Sequence, residues 1–396
     1  HNTMATLMRV FICLVVFFSL CISLSNHMTE KLYTQVSLES SGLDSSDSNQ
    51  NHGVHGVFLE QRQSNTDLEY DFYREMCPNA EMIVRATMNQ IFSQHKNAPA
   101  QLLRLLFHDC FIEGCDASVL LDDSNGNANH TIEKQAIPNQ TLKGFNFIDK
   151  IKEELENMCP GVVSCADILV LATRDGVLLA GGPFYPLLTG RRDNTQSFFD
   201  RAMAEIPRPD GNITETLRLF ALRGFNERET VALLGGHNIG KIGCEFIKPR
   251  LDNFLGTGQP DPNISSDFRN EMRLNCQDSN SSANVGAPLP VRSRSMRGST
   301  MGMSYYQGLS SSMSSGSAFD THYYESLLRG RGLLYADQQL MANKKTAELV
   351  TEYALGGGKT FRIDFSRTMV KMSSLGVLTG SQGQVRLNCS IPVSST

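Results

Sequence analysis

Tryptophan is absent from this sequence of 396 residues, and so is any large excess of charge of one sign. The net charge is only −5, so the chain has no basic surface of the kind that nucleic acid requires, and we expect no nucleic-acid partner. No C-x-x-C pair occurs, which disfavours a zinc site. Strand patterns are sparse and no internal repeat is present. The 40% of hydrophobic residues can bury a large core, and we expect that core to be mainly α-helical.

A long apolar run that could cross a membrane is also missing. The run from Val10 to Leu24 is too short and too interrupted for a comfortable span. It follows a single positive residue and ends among small residues, which predicts a secretory signal peptide over residues 1–25, with residues 1–3 resembling translated upstream sequence. We therefore expect secretion to the apoplast, with the vacuole as the alternative, and no stable membrane insertion after the signal is removed.

Two segments have compositions typical of polypeptide that does not form a packed core. Residues 26–67 are polar and lack apolar periodicity, which predicts a flexible N-terminal extension. Residues 277–317 contain thirteen serines and predict a disordered, low-complexity insert. The insert lies within a predicted folded domain over residues 68–390, and a C-terminal tail over residues 391–396 follows.

Ten cysteines occur, and removal of the signal peptide with Cys13 and Cys21 leaves eight. An even number in an exported chain implies disulfides, yet eight cysteines allow 105 pairings and their spacing selects none of them. Six N-x-S/T sequons are consistent with a glycoprotein. They begin at Asn129, Asn139, Asn212, Asn263, Asn280 and Asn388.

Helical periodicity is clear in several segments after residue 70. The apolar stripe of one predicted helix consists of Phe145, Ile148, Ile151, Leu155 and Met158. Its opposite face would carry Lys152, Glu153, Glu154 and Glu156. Ser164 is predicted to cap the next helix, and Thr214 a later one.

The stretch from Arg104 to Ser118 organises the rest of the sequence. Arg104 and His108 are four residues apart, so on a helix they project from one face, with Phe107 beside them. A neutral imidazole can accept a proton from a substrate, while the permanently charged guanidinium stabilises the anion that results. Taken alone, such a pair is more often an exposed or salt-bridging pair than a catalytic one.

Hard oxygen ligands follow directly in the same stretch. They are the side chains of Asp109, Asp116 and Ser118 and the backbone carbonyls of Ile112 and Gly114. They surround a tight turn that a disulfide between Cys110 and Cys115 could close. Oxygen ligands crowded into so few residues suit calcium. One short stretch contains a histidine base, an arginine, two cysteines that could form a disulfide, and a set of oxygen ligands. Because these features occur together, we favour a functional site over an ordinary ion pair and turn.

No Ser, Cys or Thr nucleophile motif accompanies His108 and Arg104, so a bound cofactor is the remaining candidate for the reactive centre. His237 is the candidate ligand of that cofactor, because Gly235 and Gly236 have no side chains and a flat ligand could approach the backbone closely. A histidine at such a surface can be the single protein ligand of a haem iron. The alternative is a helix that ends at glycine and is followed by an ordinary loop histidine.

Further short sequence motifs lie between Leu68 and Ser390. They include Glu133-Lys134, Pro138-Asn139, Val163 to Asp167, Gly190 to Asp193, Gly236-His237, Phe319-Asp320, Asp337-Gln338 and Gly383 to Cys389. Together with the Arg104 to Ser118 stretch, these motifs resemble the secretory plant (class III) haem peroxidases. The resemblance implies a mainly α-helical plant haem-peroxidase fold, in which two helical lobes sandwich a haem and β structure is short and minor.

The resemblance also implies a role for individual residues on the distal side of haem b, iron protoporphyrin IX. His108 would be the acid/base catalyst, and Arg104 would stabilise the transition state. Asn139 would accept a hydrogen bond from the distal imidazole, and Glu133 would support Asn139 from behind. Phe107 would pack beside the haem.

On the proximal side, the resemblance implies that His237 ligates the iron and that Asp337 accepts the second N–H of His237. Pro207 would shape the binding of aromatic donors at the haem edge. Asp167 and Arg191 would form a buried, structural ion pair. The implied disulfides are Cys77–Cys159, Cys110–Cys115, Cys165–Cys389 and Cys244–Cys276.

The resemblance implies two calcium sites, but the proximal one departs from the family pattern. Asn238 stands where the family has a threonine ligand. A serine-rich stretch that includes Ser315 stands where the family has an aspartate and a hydroxyl residue, which leaves Asp320 as the clear remaining ligand. Loss of a carboxylate weakens a calcium site. We therefore expect one firm distal calcium and a weak or empty proximal site.

The implied function is that of a monomeric secreted peroxidase, a hydrogen-peroxide-dependent oxidoreductase. It would reduce hydrogen peroxide to water by acid/base heterolysis at ferric haem and oxidise small phenolic donors by one-electron steps, in cell-wall, lignin or oxidative-stress chemistry. One alternative is a haem-binding family member with reduced turnover that acts as a wall-bound or signalling protein. A second is a disulfide-rich extracellular binding module without haem.

Overall fold

The computed structural model describes residues 68–127, 129–276 and 319–393, and the backbone of residues 304–305. The predicted signal peptide, the extension over residues 26–67 and Ser315 of the serine-rich insert lie outside the described residues. The predictions made for them stay predictions.

Helices dominate the described residues, which confirms the mainly α fold class. The helices of this part of the chain are α1 (Ala80–Gln94), α2 (Ala98–Cys110), α3 (Phe145–Met158), α4 (Cys165–Leu179), α5 (Phe199–Glu205), α6 (Ile213–Ala221), α7 (Glu227–Leu234), α8 (Lys248–Asp252), α9 (Ser266–Asn275), α10 (His322–Leu328), α11 (Tyr335–Gln338), α12 (Lys344–Leu355) and α13 (Lys359–Met372). Strand β1 (Ile242–Gly243) pairs antiparallel with β2 (Ser304–Tyr305), in agreement with minor β structure. Among these helices, none has the length and apolar character that a bilayer crossing needs.

Two groups of helices carry the hydrophobic core. In the first group, α1, α2 and α3 pack against α4, and every residue of α4 from Cys165 to Val177 is buried. A helix that is buried on all sides lies at the centre of a core. In the second group, α7, α10, α12 and α13 pack on one another. The groups meet where Leu103 of α2 reaches Gly236, in the turn that follows α7.

The apolar stripe predicted for α3 is correct at its centre and wrong at its end. Ile148, Ile151 and Leu155 are fully buried. Met158, in the last turn, is 63% exposed, so it does not belong to the core. Helix ends extend beyond the neighbouring elements that cover the middle of the helix, and periodicity alone does not reveal where that cover stops.

The prediction that Lys152 lies on the polar face of α3 is wrong, because its side chain is buried. Its Nζ donates to the backbone carbonyl of Val163 at 2.7 Å and pairs with Glu156 of the same helix at 2.5 Å. These partners satisfy the ammonium group inside the protein, as a buried charge requires.

The predicted cap at Ser164 is confirmed, since its side chain accepts from the backbone N–H three residues further on at 3.1 Å. The predicted cap at Thr214 is wrong. Helix α6 begins at Ile213, so Thr214 lies inside its first turn, and Asn212 is the cap. The Asn212 side chain accepts from the Glu215 N–H at 2.9 Å, and an asparagine at this position satisfies an N–H that the helix leaves unpaired.

Four disulfides cross-link the described residues, in the pairing that the family resemblance implies. They are Cys77–Cys159, Cys110–Cys115, Cys165–Cys389 and Cys244–Cys276. Asp167 and Arg191 are both buried and form an ion pair with 2.7 Å between Oδ1 and Nη1. Arg191 also donates to the carbonyl of Ser373, directly after α13, so this pair links the two groups of helices.

Candidate active site

Helix α2 presents Arg104 and His108 on one face, one turn apart, as their spacing predicts. Pro99 lies in the first turn of α2, where the missing N–H has no helical partner to lose. His108 is 5% exposed. The ring of Phe107 lies beside His108 and stacks on Phe220, with 5.8 Å between the ring centroids in each case.

Asn139 determines the tautomer of His108. The Nδ2 of Asn139 donates to the Glu133 backbone carbonyl at 2.8 Å, so its Oδ1 faces His108 Nδ1 at 2.6 Å. An amide oxygen can only accept, so Nδ1 carries the proton and Nε2 keeps its lone pair. Glu133 thus contacts Asn139 through its main chain, while its carboxylate accepts from the Phe198 N–H at 3.1 Å.

The environment of His108 keeps its imidazole neutral. Burial lowers the pKa of His108 to about 3, and the positive charge of Arg104 adds to the effect. The hydrogen bond to Asn139 acts in the opposite direction but does not outweigh burial. A neutral imidazole with a free Nε2 can act as a general base at neutral pH.

Arg104 is held by the same loop that carries Asn139. Its Nη2 donates to the Pro138 carbonyl and to Thr141 Oγ1, each at 3.0 Å. Burial lowers the pKa of Arg104, but a guanidinium stays charged in proteins. Thr141 is a site residue that sequence reasoning missed, because nothing in its own sequence neighbourhood marks a contact with α2.

His237 lies on the 3₁₀ turn Gly235–Asn238 that follows α7. Its Nδ1 is 2.7 Å from Oδ1 of Asp337, a residue of α11 that is 2% exposed. Burial acts to lower the pKa of His237, but the charge of Asp337 and its hydrogen bond outweigh burial and raise this pKa. A carboxylate at Nδ1 determines the tautomer and makes Nε2 a stronger electron donor to a metal.

On the side where a Cβ would project, the two glycines of this turn face protein side chains. A Cβ on Gly235 would lie 2.2 Å from the Tyr324 hydroxyl and 2.5 Å from the Phe361 ring. A Cβ on Gly236 would lie 3.1 Å from a methyl group of Leu103. These side chains belong to α10, α13 and α2, so the absence of a Cβ lets three helices pack close to the turn. The approach of a flat ligand to this backbone stays a prediction.

His237 and Arg104 line an internal cleft. The His237 side chain is 47% accessible, yet protein surrounds it closely enough for burial to be the largest influence on its pKa. Arg104 combines exposure and burial in the same way. Side chains that solvent reaches although protein encloses them lie on the wall of a cleft. The charge that His237 can carry also lowers the pKa of His108, so the two imidazoles lie close enough for their charges to interact.

The residues of this cleft fit a haem group. Within the part of the chain that the structure describes, the Nδ1 atoms of His108 and His237 have side-chain partners and their Nε2 atoms make no hydrogen bond. One ring can therefore ligate an iron, while the other remains free to act as a base. Phe107 provides an apolar wall beside His108.

The loop after α2 concentrates buried oxygen atoms. Asp109 and Asp116 are each 1% exposed. Ser118 Oγ and Glu133 Oε2 are also buried and lack a hydrogen bond of normal geometry among the described residues. Burial raises the pKa of Asp109, Asp116 and Glu133, to about 8 for Glu133, and the charge of Asp116 raises the pKa of the other two further. A bound cation would offset the cost of ionising these groups.

The turn in this loop requires Gly114, whose φ is +142° and where a Cβ would lie 2.4 Å from the Gly376 carbonyl oxygen. The Gly114 carbonyl accepts from the Asp116 N–H at 2.9 Å, and Ile112 lies buried beside it. Asn194, which sequence reasoning missed, donates to Asp116 Oδ2 at 2.6 Å. No three His, Cys, Asp or Glu side chains converge on a metal position within the described ranges, so carbonyl and hydroxyl oxygens would have to complete a calcium site.

The proximal residues Asn238 and Asp320 are bound to each other. Asn238 is fully buried, and its Nδ2 donates to the Asp320 backbone carbonyl. Its Oδ1 is without a partner in the described chain. The Asp320 carboxylate accepts from the His322 N–H at 2.8 Å and also contacts His322 Nδ1. The carboxylate therefore has protein partners, and Ser315, the third predicted ligand, lies outside the described residues.

Pro207 follows Ile206, the first residue after α5, and is half-buried. Two residues later, the Pro209 carbonyl accepts from the Ala336 N–H at 3.0 Å. This hydrogen bond fastens the segment to α11, the helix that carries Asp337. Pro207 therefore lies on a segment that is attached to the proximal side of the site.

Comparison with known proteins identifies the family. The family model described as Peroxidase matches residues 84–356. Putative Peroxidase 48 of Arabidopsis thaliana is 47% identical over 337 residues, which are 82% of this chain and 82% of the relative. Peroxidase 39 of the same plant is 38% identical over 326 residues, 82% of this chain and 93% of the relative. Peroxidase 1 is 37% identical over 329 residues, 82% of this chain and 92% of the relative. The chain belongs to the class III family of plant haem peroxidases and is a peroxidase.

Proposed function

We propose that this peroxidase is secreted, binds haem b, and reduces hydrogen peroxide to water while it oxidises small phenolic donors in cell-wall or oxidative-stress chemistry. The observation that supports this proposal most is the pair of imidazoles, His108 and His237, which lie near each other, each with Nδ1 bonded to a side chain and with Nε2 free of hydrogen bonds among the described residues. Four disulfides support an oxidising compartment outside the cytosol.

The proposed roles follow from which atoms are free. His237 would hold the haem iron through Nε2, with Asp337 orienting its ring. Haem, when bound, supplies an iron that takes up the oxidising equivalents of hydrogen peroxide and passes them to donors one electron at a time. His108 Nε2 takes a proton from one peroxide oxygen and returns it to the other, which leaves as water. Arg104 stabilises the negative charge that develops on the leaving oxygen.

The proposed donor position is the edge of the cleft near Pro207. The Pro209 carbonyl accepts from the Ala336 N–H, which attaches the segment that carries Pro207 to the helix that carries Asp337. A rigid, half-buried proline offers a flat apolar contact for a phenolic ring. We propose that it shapes donor access and takes no part in the reaction with peroxide.

The test is the reaction of the haem-loaded enzyme with hydrogen peroxide, followed by stopped-flow absorbance. We expect His108→Leu and Arg104→Leu each to bind haem and to lower the rate constant of this reaction by about 100-fold or more, since each removes a group that acts on the peroxide. His130→Leu is the matched control, because His130 is an exposed loop residue that bonds only to a neighbouring carbonyl. Unchanged rates in both site variants would contradict the proposed roles.

We also propose that the chain holds one calcium ion, at Asp109, Ile112, Gly114, Asp116 and Ser118. The buried Ser118 Oγ without a hydrogen bond and the raised pKa values of the carboxyl groups support this position. The proximal set of Asn238, Ser315 and Asp320 would be weak or empty. The sequence supports that difference, because asparagine and serine stand where the family has a threonine and an aspartate ligand.

Metal analysis of protein passed over a chelating resin tests the calcium proposal. We expect one calcium per chain in the wild type and none after Asp116→Asn. Asp122→Asn is the control, because Asp122 is 61% exposed and pairs with Lys134 at the surface. Two tightly held calcium ions per chain would contradict the proposal for the proximal site.

A second candidate function is that of a haem-binding family member with reduced turnover, acting as a wall-bound or signalling protein. The observation that favours it is the proximal arrangement, in which Asn238 donates to the Asp320 carbonyl and the Asp320 carboxylate accepts from His322. The same stopped-flow experiment separates the two candidates. A haem band without peroxide reduction and without oxidation of guaiacol would favour the second.

A further inference from the structure

The Asp337 carboxylate serves two donors through one oxygen atom. His237 Nδ1 is 2.7 Å from Asp337 Oδ1, and the hydroxyl of Tyr323 donates to the same Oδ1 at 2.9 Å. Asp337 is 2% exposed and Tyr323 is fully buried, so water does not compete for these bonds. The rings of His237 and Tyr323 meet edge to face with centroids 6.2 Å apart.

Tyr323 can only be a donor in this arrangement. Burial, followed by the charge of Asp337, raises the pKa of the Tyr323 phenol well above its ordinary value, so the hydroxyl keeps its proton. The ring is held in place by the neighbouring Tyr324, edge to face at 5.0 Å. The hydrogen bond to Asp337 is therefore a permanent feature of a packed core.

Two donors on one oxygen compete for the same electron density. A carboxylate oxygen that already accepts from a phenol is a weaker acceptor for a second N–H, because the first bond draws charge away from it. The strength of the hydrogen bond at the Nδ1 of a metal-bound histidine controls how strongly its Nε2 donates to the metal. An iron held by His237 would therefore be influenced by the phenol through Asp337 and the imidazole.

We propose that Tyr323 is a positioning residue that limits electron donation from His237 to the haem iron by sharing the Asp337 acceptor. This inference rests on the proposed function, in which His237 is the iron ligand. Asp337 strengthens the imidazole as a donor, and Tyr323 moderates that effect. The phenol would thus help to set the balance between the reaction with peroxide and the ease with which the iron is reduced.

The experiment compares Tyr323→Phe with Tyr324→Phe in the haem-loaded protein. Resonance Raman spectroscopy of the ferrous state reports the iron–histidine stretching frequency, and spectroelectrochemistry reports the reduction potential. We expect Tyr323→Phe to shift the stretching frequency upward and the potential to more negative values. Tyr324→Phe is the matched control, because it also removes a buried hydroxyl, which donates to the Val231 carbonyl at 2.9 Å, and should leave both quantities unchanged.

Two further variants distinguish tuning from a loss of packing. Asp337→Asn removes the charged acceptor and should shift both quantities in the direction opposite to Tyr323→Phe. In the Asp337→Asn background, Tyr323→Phe should have no further effect. A downward frequency shift in Tyr323→Phe, or no difference from Tyr324→Phe, would overturn the inference.

The proposed function fails in a different way. If the wild type shows no iron–histidine band, or keeps it after His237→Ala, then His237 is not the iron ligand, and both the proposed function and this inference are overturned. If the band is present in the wild type, is lost in His237→Ala and is unmoved in Tyr323→Phe, only this inference fails.

Discussion

The proton on His108 is controlled by burial, by Arg104 and by Asn139. Asn139 determines which nitrogen carries the proton, and burial together with the Arg104 charge keeps the ring from taking a second one. In the proposed role of His108 as a base, only the neutral imidazole accepts a proton from peroxide, so the lowered pKa would extend the active pH range toward acid. The spacing of Arg104 and His108 predicted their common face, but the neighbours that tune them come from a distant loop.

The first prediction concerns the pH dependence of this step. The rate constant for the reaction with hydrogen peroxide should stay constant as pH falls from neutrality and should decline only as His108 becomes protonated, at its lowered pKa of about 3. Arg104→Leu should move this acid limb to higher pH, because it removes a charge that holds the pKa down. Stopped-flow measurements across the pH range check both expectations. An acid limb at the ordinary histidine pKa of 6.5 in the wild type would contradict this account.

At the scale of single elements, the entry to α6 shows that a cap depends on where the helix starts. Asn212 and Thr214 both belong to residue types that cap helices, and their sequence alone does not choose between them. The extended backbone of Asn212, with φ −80° and ψ 166°, places its side chain over the first turn.

The second prediction follows from that cap. Asn212→Ala should lower the free energy of unfolding by about 1 kcal/mol, because the Glu215 N–H loses its partner. Thr214→Ala, at an exposed position inside the helix, should change it little. Both changes remove the same sequon, so protein from a bacterial host, which lacks glycan, gives a clean comparison by chemical denaturation. Equal losses in the two variants would show that the cap is not at Asn212.

The third prediction concerns the turn that carries His237. Gly235→Ala should lower the free energy of unfolding by about 1–3 kcal/mol, because its Cβ would lie 2.2 Å from the Tyr324 hydroxyl and a filled core has no room for it. Gly236→Ala should cost less, since its nearest neighbour is a flexible Leu103 methyl at 3.1 Å. Thermal unfolding of the two variants tests the order. The reverse order would mean that the space beside Gly235 can open readily.

At the scale of the whole molecule, cross-links and one ion pair join segments that are far apart in sequence. The Cys165–Cys389 disulfide ties the start of α4 to the end of the described chain, with a sequence separation of 224. Arg191 adds a second connection, from Asp167 in α4 to the carbonyl that follows α13. The disulfide fastens the C-terminal segment to α4, and the Arg191 connection joins the helix group that carries His108 to the group that includes α13.

The fourth prediction compares two disulfides of different span. Replacing both cysteines of the Cys165–Cys389 pair by alanine should destabilise the protein more than replacing the Cys244–Cys276 pair, whose separation is 32. Loop-closure entropy gives a difference of about 2 kcal/mol, because the longer link removes more freedom from the unfolded chain. Urea unfolding under non-reducing conditions measures it. Equal destabilisation would show that local packing around each bridge dominates over chain entropy.

The sequence by itself determined the features that depend on neighbouring residues. The helical stripes, the common face of Arg104 and His108, and the oxygen-rich loop from Asp109 to Ser118 all lie within one or two turns of chain, where spacing sets geometry. The family resemblance then supplied the partners of the cysteines, which spacing alone left open.

Only the tertiary structure decided what touches what across the molecule. It brought His237 near His108, buried Lys152, filled the space beside Gly235 with Tyr324, and gave Asp337 a second donor in Tyr323. The physical reason is that these contacts join segments whose approach is set by the packing of whole helices. No local pattern of residues encodes which side chain will arrive from the other segment.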